Sequence, residues 1–77
     1  MENTYYTKNE IIFQWYLKSA EGGNAISQNY IGDCYYHGIG IDKSNDKAII
    51  WYKKASDNGI QKAKNKLNNL LKKKQIK

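Results

Sequence analysis

Asp33, Cys34 and His37 are the residues in this 77-residue chain whose types and spacing come nearest to a reactive site. Cys34 and His37 stand at i and i+3, so a helix would bring a thiol and an imidazole to one face. Zinc needs four ligands, commonly from cysteine and histidine. The chain has one Cys and one His, so a metal centre has no partners to recruit. A cysteine nucleophile needs a base, an orienting group and an oxyanion pocket, and the neighbouring sequence supplies no such set. The remaining carboxylates are scattered and form no acid–base pair. The reading is therefore structural: Cys34 is a small core residue, and His37 a favourable cation in a last helical turn. Neither catalysis nor a cofactor, metal or small-molecule substrate is implied.

Charge offers the second candidate chemistry. The net charge is +6, but residues 1–42 carry −3 and residues 43–77 carry +9. Lys62, Lys64, Lys66 and Lys72 to Lys74 would give a basic face suited to phosphate. Against nucleic acid, the chain contains no arginine, so the bidentate fork that grips phosphate and reads guanine is missing. Its aromatics fall on the periodic core instead of being free to stack on bases. Lysine, asparagine, isoleucine and tyrosine number 13, 9, 10 and 7, a bias that A/T-rich codons would also produce. A lysine-rich electrostatic nucleic-acid binder is thus the second reading of function, not the first.

The elements that position these residues follow from glycine and the apolar period. The segment Gly38–Gly59 reads as a glycine turn, a polar loop and an amphipathic helix stopped by glycine. Ala48, Trp51, Tyr52 and Ala55 recur at i, i+3, i+4 and i+7, one helical face. Trp15-Tyr16 precedes Trp51-Tyr52 by 36 residues, and Gly23 precedes Gly59 by the same step. Self-similarity at that period signals stacked helical pairs.

Taken in order, residues 1–7 form an arm, with Tyr5 and Tyr6 placed to pack on the first helix. Thr7 and Glu10 have capping-box spacing, and a helix runs to about Glu21 with Ile12, Trp15, Tyr16 and Ser19 inward. A second helix begins at Asn24 or Ala25 and ends near His37, its inner line being Ser27, Ile31, Cys34 and Tyr35. Gly32 beside that line lets another helix come close. Ser44 caps a third helix, Asp46 complements its dipole, and Asp57-Asn58-Gly59 ends it. A fourth starts near Ile60 or Gln61 with Ala63, Leu67, Leu70 and Leu71 on one side only, as an end cap requires. Lys72 to Lys77 read as a fraying basic tail.

The chain resembles the Sel-1-like repeat family, a relative of the tetratricopeptide repeats, over roughly residues 8 to 71. Ala48, Trp51, Tyr52, Lys54, Ala55 and Gly59 match the first half of its motif. Ile31, Gly32, Tyr35, Gly38, Gly40 and Ile41 match the second. Trp15, Tyr16, Lys18, Ala20 and Gly23 match the first half again. Asn68 and Leu71 depart from the family's glycine and tyrosine. The resemblance implies an all-α fold, a short right-handed α-solenoid of two helix-turn-helix repeats (8–43 and 44–71) followed by the tail 72–77. It also implies a non-catalytic adaptor or scaffold, in signalling or protein quality control.

A partner surface is expected on the wall formed by the first and third helices. Ile11, Phe13 and Leu17, with Ile49 and Ile50, exceed what two repeats can bury. Gln14, Lys18 and Lys53 would form its rim. The expected partner is a protein or peptide. Two repeats are few for a free-standing array, so self-association of the acidic half with the basic half is a further expectation. No apolar run reaches the ~20 residues of a membrane span, the first residues do not resemble a secretory signal, and a lone cysteine excludes an internal disulfide. A cytoplasmic setting follows as the expectation.

Overall fold

The structure, a computed structural model, describes residues 6–75. Tyr5 of the expected arm and residues 76–77 of the expected tail lie outside them. Four helices follow in order: α1 (Lys8–Glu21), α2 (Ala25–His37), α3 (Asn45–Asp57) and α4 (Gln61–Gln75). Each of the first three begins on a side chain that satisfies a backbone N–H left open by the first turn. Thr7 accepts from the Glu10 amide at 3.1 Å while the Glu10 carboxylate accepts from the Thr7 amide at 2.7 Å. Asn24 accepts from Ser27 at 2.8 Å, and Ser44 from Lys47 at 3.2 Å. Such caps stabilise by about 1 kcal/mol each, and here they fix where each helix starts.

The stops repeat as the starts do. Gly23 and Gly59, one repeat apart, have φ of 101° and 99°, a region that a side chain rarely enters. Two antiparallel pairs result, α1 with α2 and α3 with α4, and α3 stacks on α2 to join them. The Cα extents of 48, 28 and 14 Å describe a thin slab.

Burial therefore concentrates in two small clusters. Phe13, Ala20, Ile31 and Cys34 form one, with Leu17, Tyr35 and Trp51 packed on it. Ala48, Tyr52, Ala55, Ala63 and Leu70 form the other, with Ile49, Ile60 and Leu67 alongside. Tyr52 is the largest fully buried side chain. Its ring lies on Gly32, where a Cβ would come within 2.5 Å of the ring carbons, so only glycine admits this approach of α3 to α2.

Expectation and structure part company on α1. Of the expected inner residues Ile12, Trp15, Tyr16 and Ser19, Trp15 is turned outward at 68% exposure. Ile12 is half-buried, Tyr16, 39% exposed, sets its ring 4.3 Å from Tyr30 of α2, and the Ser19 hydroxyl accepts from Ser27 at 2.8 Å. Phe13, expected on the outside, is 2% exposed, its ring set edge-on against Tyr35 at 5.6 Å between centroids. Residues 13 and 15 point roughly 200° apart around a helix turning about 100° per residue, so burying Phe13 turns Trp15 to solvent. Trp51 finds the first repeat's cluster to pack on. Among the described residues no helix precedes α1 to do the same for Trp15.

The basic tail also differs from expectation, because α4 continues through residues 72–75. Lys74 holds Asp46 at 2.8 Å, and Lys73 reaches the Tyr36 hydroxyl at 3.3 Å. These contacts tie the last turn of α4 to α3 and α2.

Candidate protein-binding surface

Of the residues expected on the α1–α3 wall, the structure keeps five on the surface and withdraws three. Ile11, Gln14 and Lys18 lie at i, i+3 and i+7 on one exposed face of α1, and Trp15 joins Ile11 from one turn on. On α3, Ile50, 53% exposed, and Lys53 are also at the surface, with Ile50 one repeat on from Gln14. Phe13 belongs to the core, while Leu17 and Ile49 are partly buried against the two clusters, one helical turn or less from Phe13 and Ala48. Those three are packing residues in this fold.

Beside Ile11 the surface opens into a groove of about 580 Å³ lined by Tyr6, Glu10, Ile11, Gln14, Trp15, Gly40 and Ile41. The groove exists because the loop after α2 is laid against α1. Gly40, at φ 73°, sits so close to the Asn9 carbonyl that a Cβ would collide with it. Tyr6, Ile11 and Trp15 are exposed at 60%, 37% and 68%, an apolar and aromatic set of the kind enriched at the centre of protein interfaces.

In the trio that looked most reactive, the fold turns Cys34 into the core and away from the other two. Cys34 is wholly buried and unpaired. Burial pushes its thiol up from the ordinary range, which makes the thiolate nucleophile harder to form. His37 is exposed, its ring edge-on to Tyr36 at 4.8 Å. Among the described residues no group of three His, Cys, Asp or Glu side chains is placed to hold a metal ion.

Asp33 turns out to have a different role. Its Oδ1 accepts from the Tyr52 hydroxyl at 2.5 Å and from Lys66 Nζ at 2.8 Å, and its Oδ2 accepts from Lys66 at 3.1 Å. Three helices are thereby joined at one carboxylate. Burial first, then the bond to Asp33, drives the Tyr52 phenol far above its ordinary value. Gln28, 5% exposed, makes a second polar tie: its amide donates to the Ala20 carbonyl at 3.1 Å and its oxygen accepts from Asn58 at 2.9 Å. Sequence reasoning missed both, since the partners lie 19 and 33, then 8 and 30, residues apart.

These features define a class before they define a family: an all-α short solenoid whose paired helices repeat a Trp-Tyr, alanine and glycine pattern. The model of the Sel1 repeat matches residues 13–24 and 25–60. The chain belongs to the Sel1 repeat family. It is 42% identical over 55 residues to the chitin synthase regulator SKT5 of Saccharomyces cerevisiae, covering 71% of this chain and 8% of that protein. It is 39% identical over 49 residues to HRD3B, an ERAD-associated E3 ubiquitin-protein ligase component of Arabidopsis thaliana, covering 62% of this chain and 8% of that one. The chain thus spans less than a tenth of the length of these relatives.

Solved structures agree on the fold. A Sel1 repeat protein from Oxalobacter formigenes superposes with a TM-score of 0.78 at 35% identity, over 80% of this chain and 47% of that one. A protective antigen of uropathogenic Escherichia coli strains, with an SLR fold, superposes at 0.84 and 28% identity over 88% and 15% of the two chains. Among the described residues no helix is long and apolar enough to cross a membrane.

Proposed function

We propose that this chain is a non-catalytic protein–protein interaction module that assembles complexes as an adaptor or scaffold. Its binding surface is the exposed wall of α1 and α3: Ile11, Gln14, Trp15 and Lys18, continued by Ile50 and Lys53. The observation that carries this reading is the exposure of Trp15 at 68% beside a groove that shares its apolar lining. A tryptophan left in water while its repeat counterpart packs on the core is a surface awaiting cover. The names of two relatives, a regulator of one enzyme and a component of another, support a role exercised through a second protein. Protein quality control is the pathway that the second of these names favours. The buried free thiol of Cys34 suits a reducing, cytoplasmic setting.

The test is capture from the native cell by the wild-type chain and by Trp15→Ala and Ile50→Asp variants. A protein bound by the wild type at moderate salt and lost with both variants supports the reading. Binding that ignores both variants and collapses as salt rises identifies the lysines as the contact, and with them a polyanion partner. Self-association of acidic and basic halves is tested by light scattering at low and high salt, where a monomer at both removes it.

A further inference from the structure

A second concavity, of about 270 Å³, lies between α2 and α4 and shares no residue with the α1–α3 wall. Asp33, Tyr36 and His37 line it from α2, and Lys66, Asn69 and Lys73 from α4, over a floor of Tyr52 and Leu70. The floor is dry: Tyr52 and Leu70 are 1% and 3% exposed. Of the three formal charges in the lining, two cancel. Both oxygens of Asp33 are taken by Lys66, and one also by the Tyr52 hydroxyl. Lys73 is different. Among the described residues it has no carboxylate within salt-bridge distance, and its ammonium rests on Tyr36, 3.3 Å from the hydroxyl and 5.8 Å from the ring centroid. Asn69, one helical turn before it, makes no side-chain hydrogen bond among those residues.

We propose that this cleft binds the carboxylate of an acidic peptide, a glutamate side chain being the best fit. The carboxylate accepts from Lys73 Nζ and from the Asn69 amide, a charge-assisted pair of donors. Its aliphatic stem lies over Leu70 and the Tyr36 ring. The dry floor and the volume favour a side chain with flanking backbone over a free oxyanion, because ligand sites pair an apolar lining with a few placed polar groups. The neutralised Asp33 positions the site without repelling the ligand, since Lys66 offsets its charge at contact distance. This inference stands apart from the α1–α3 reading, and either can fail without the other.

Titration of the isotope-labelled full chain, followed by amide NMR, decides it. The probes are acetyl-Leu-Glu-Leu-amide, its Gln counterpart and inorganic phosphate. The Glu peptide is expected to move the signals of Tyr36, His37, Asn69 and Lys73 saturably, with the Gln peptide about tenfold weaker, as loss of a charged hydrogen bond implies. Lys73→Met should weaken the Glu peptide to the level of the Gln peptide while leaving the remaining spectrum in place. Should Lys73→Met disturb the fold, the wild-type comparison of Glu with Gln peptide still decides. Equal shifts with both peptides, or shifts spread across Lys62, Lys64 and Lys72, overturn the proposal. Phosphate moving the same signals as strongly as the Glu peptide overturns the peptide and leaves a free-anion site.

Discussion

The Tyr52 hydroxyl stands 2.5 Å from Asp33 Oδ1, so the first helix of the second repeat is bonded to the second helix of the first. A solenoid is held repeat to repeat, and its stability is the sum of such nearest-neighbour interfaces. Tyr52→Phe keeps the ring on Gly32 and removes only the donor. It should cost about 1–2 kcal/mol, read as a lower urea midpoint with unchanged slope. Combined with Asp33→Asn in a double-mutant cycle, it should reveal a coupling on the order of 1 kcal/mol. Strict additivity would show the bond to be idle.

Gly32→Ala reverses the usual ranking of these residues in a helix. Alanine is favoured over glycine there by about 1 kcal/mol, yet its Cβ would lie 2.5 Å from the Tyr52 ring. The ring is buried and tied to Asp33, so it has little room to withdraw. We expect a net loss of about 1–3 kcal/mol, the range for overpacking, measured by thermal or chemical unfolding. A stabilised variant would mean that α2 and α3 are not this close.

The two tryptophans should behave differently although each is followed by a tyrosine and, three residues on, a lysine. Trp15→Ala should shift stability by less than about 1 kcal/mol, as surface changes do. Trp51→Ala, half-buried against the Phe13 cluster, should cost on the order of 2 kcal/mol, short of a fully buried indole. Acrylamide quenching of each single-tryptophan variant checks this independently. Equal quenching of both would contradict the exposures of α1 and α3.

That contrast shows what the sequence carried and what it did not. The caps Thr7 and Ser44, the stops at Gly23 and Gly59, and the Ala48-Tyr52-Ala55 stripe were all legible, because each is a local rule. Trp15 was misplaced because the repeat pattern assumes a preceding helix to pack on, and among the described residues none precedes α1. Phe13 was misplaced with it, as one rotation of α1 decides both. The Asp33–Tyr52–Lys66 cluster had no local signature: Asp33 drew attention only for its neighbours Cys34 and His37, and Lys66 only for its charge. Of the expected wall, Ile11 and Ile50, read as surplus beside the core stripe, and Gln14, Lys18 and Lys53, read as its rim, lie at the surface. The groove was not, since it needs Gly40 and Ile41 folded back on α1.

Alkaline titration should single out one phenol. Burial first, and then the bond to Asp33, raise the folded value of Tyr52; burial also leads the smaller rises at Tyr30 and Tyr35, with Cys34 adding to both. A raised folded value means that the native state holds the proton more tightly than the unfolded chain. The stability it contributes is complete below the unfolded value of about 10 and is lost as pH rises towards the folded one. Ultraviolet absorbance of tyrosinate should show one phenol ionising only as the protein unfolds, and Tyr52→Phe should delete that late step. Ionisation of every tyrosine in the ordinary range before unfolding would refute it.

Hydrogen exchange on the captured complex tests the adaptor reading most directly, because it reports where the partner sits. The account predicts slowed exchange on the exposed faces of α1 and α3, around Ile11, Gln14, Trp15, Lys18, Ile50 and Lys53, persisting at moderate salt. Protection confined to the α4 lysines Lys62, Lys64 and Lys72, and erased as salt rises, would contradict it.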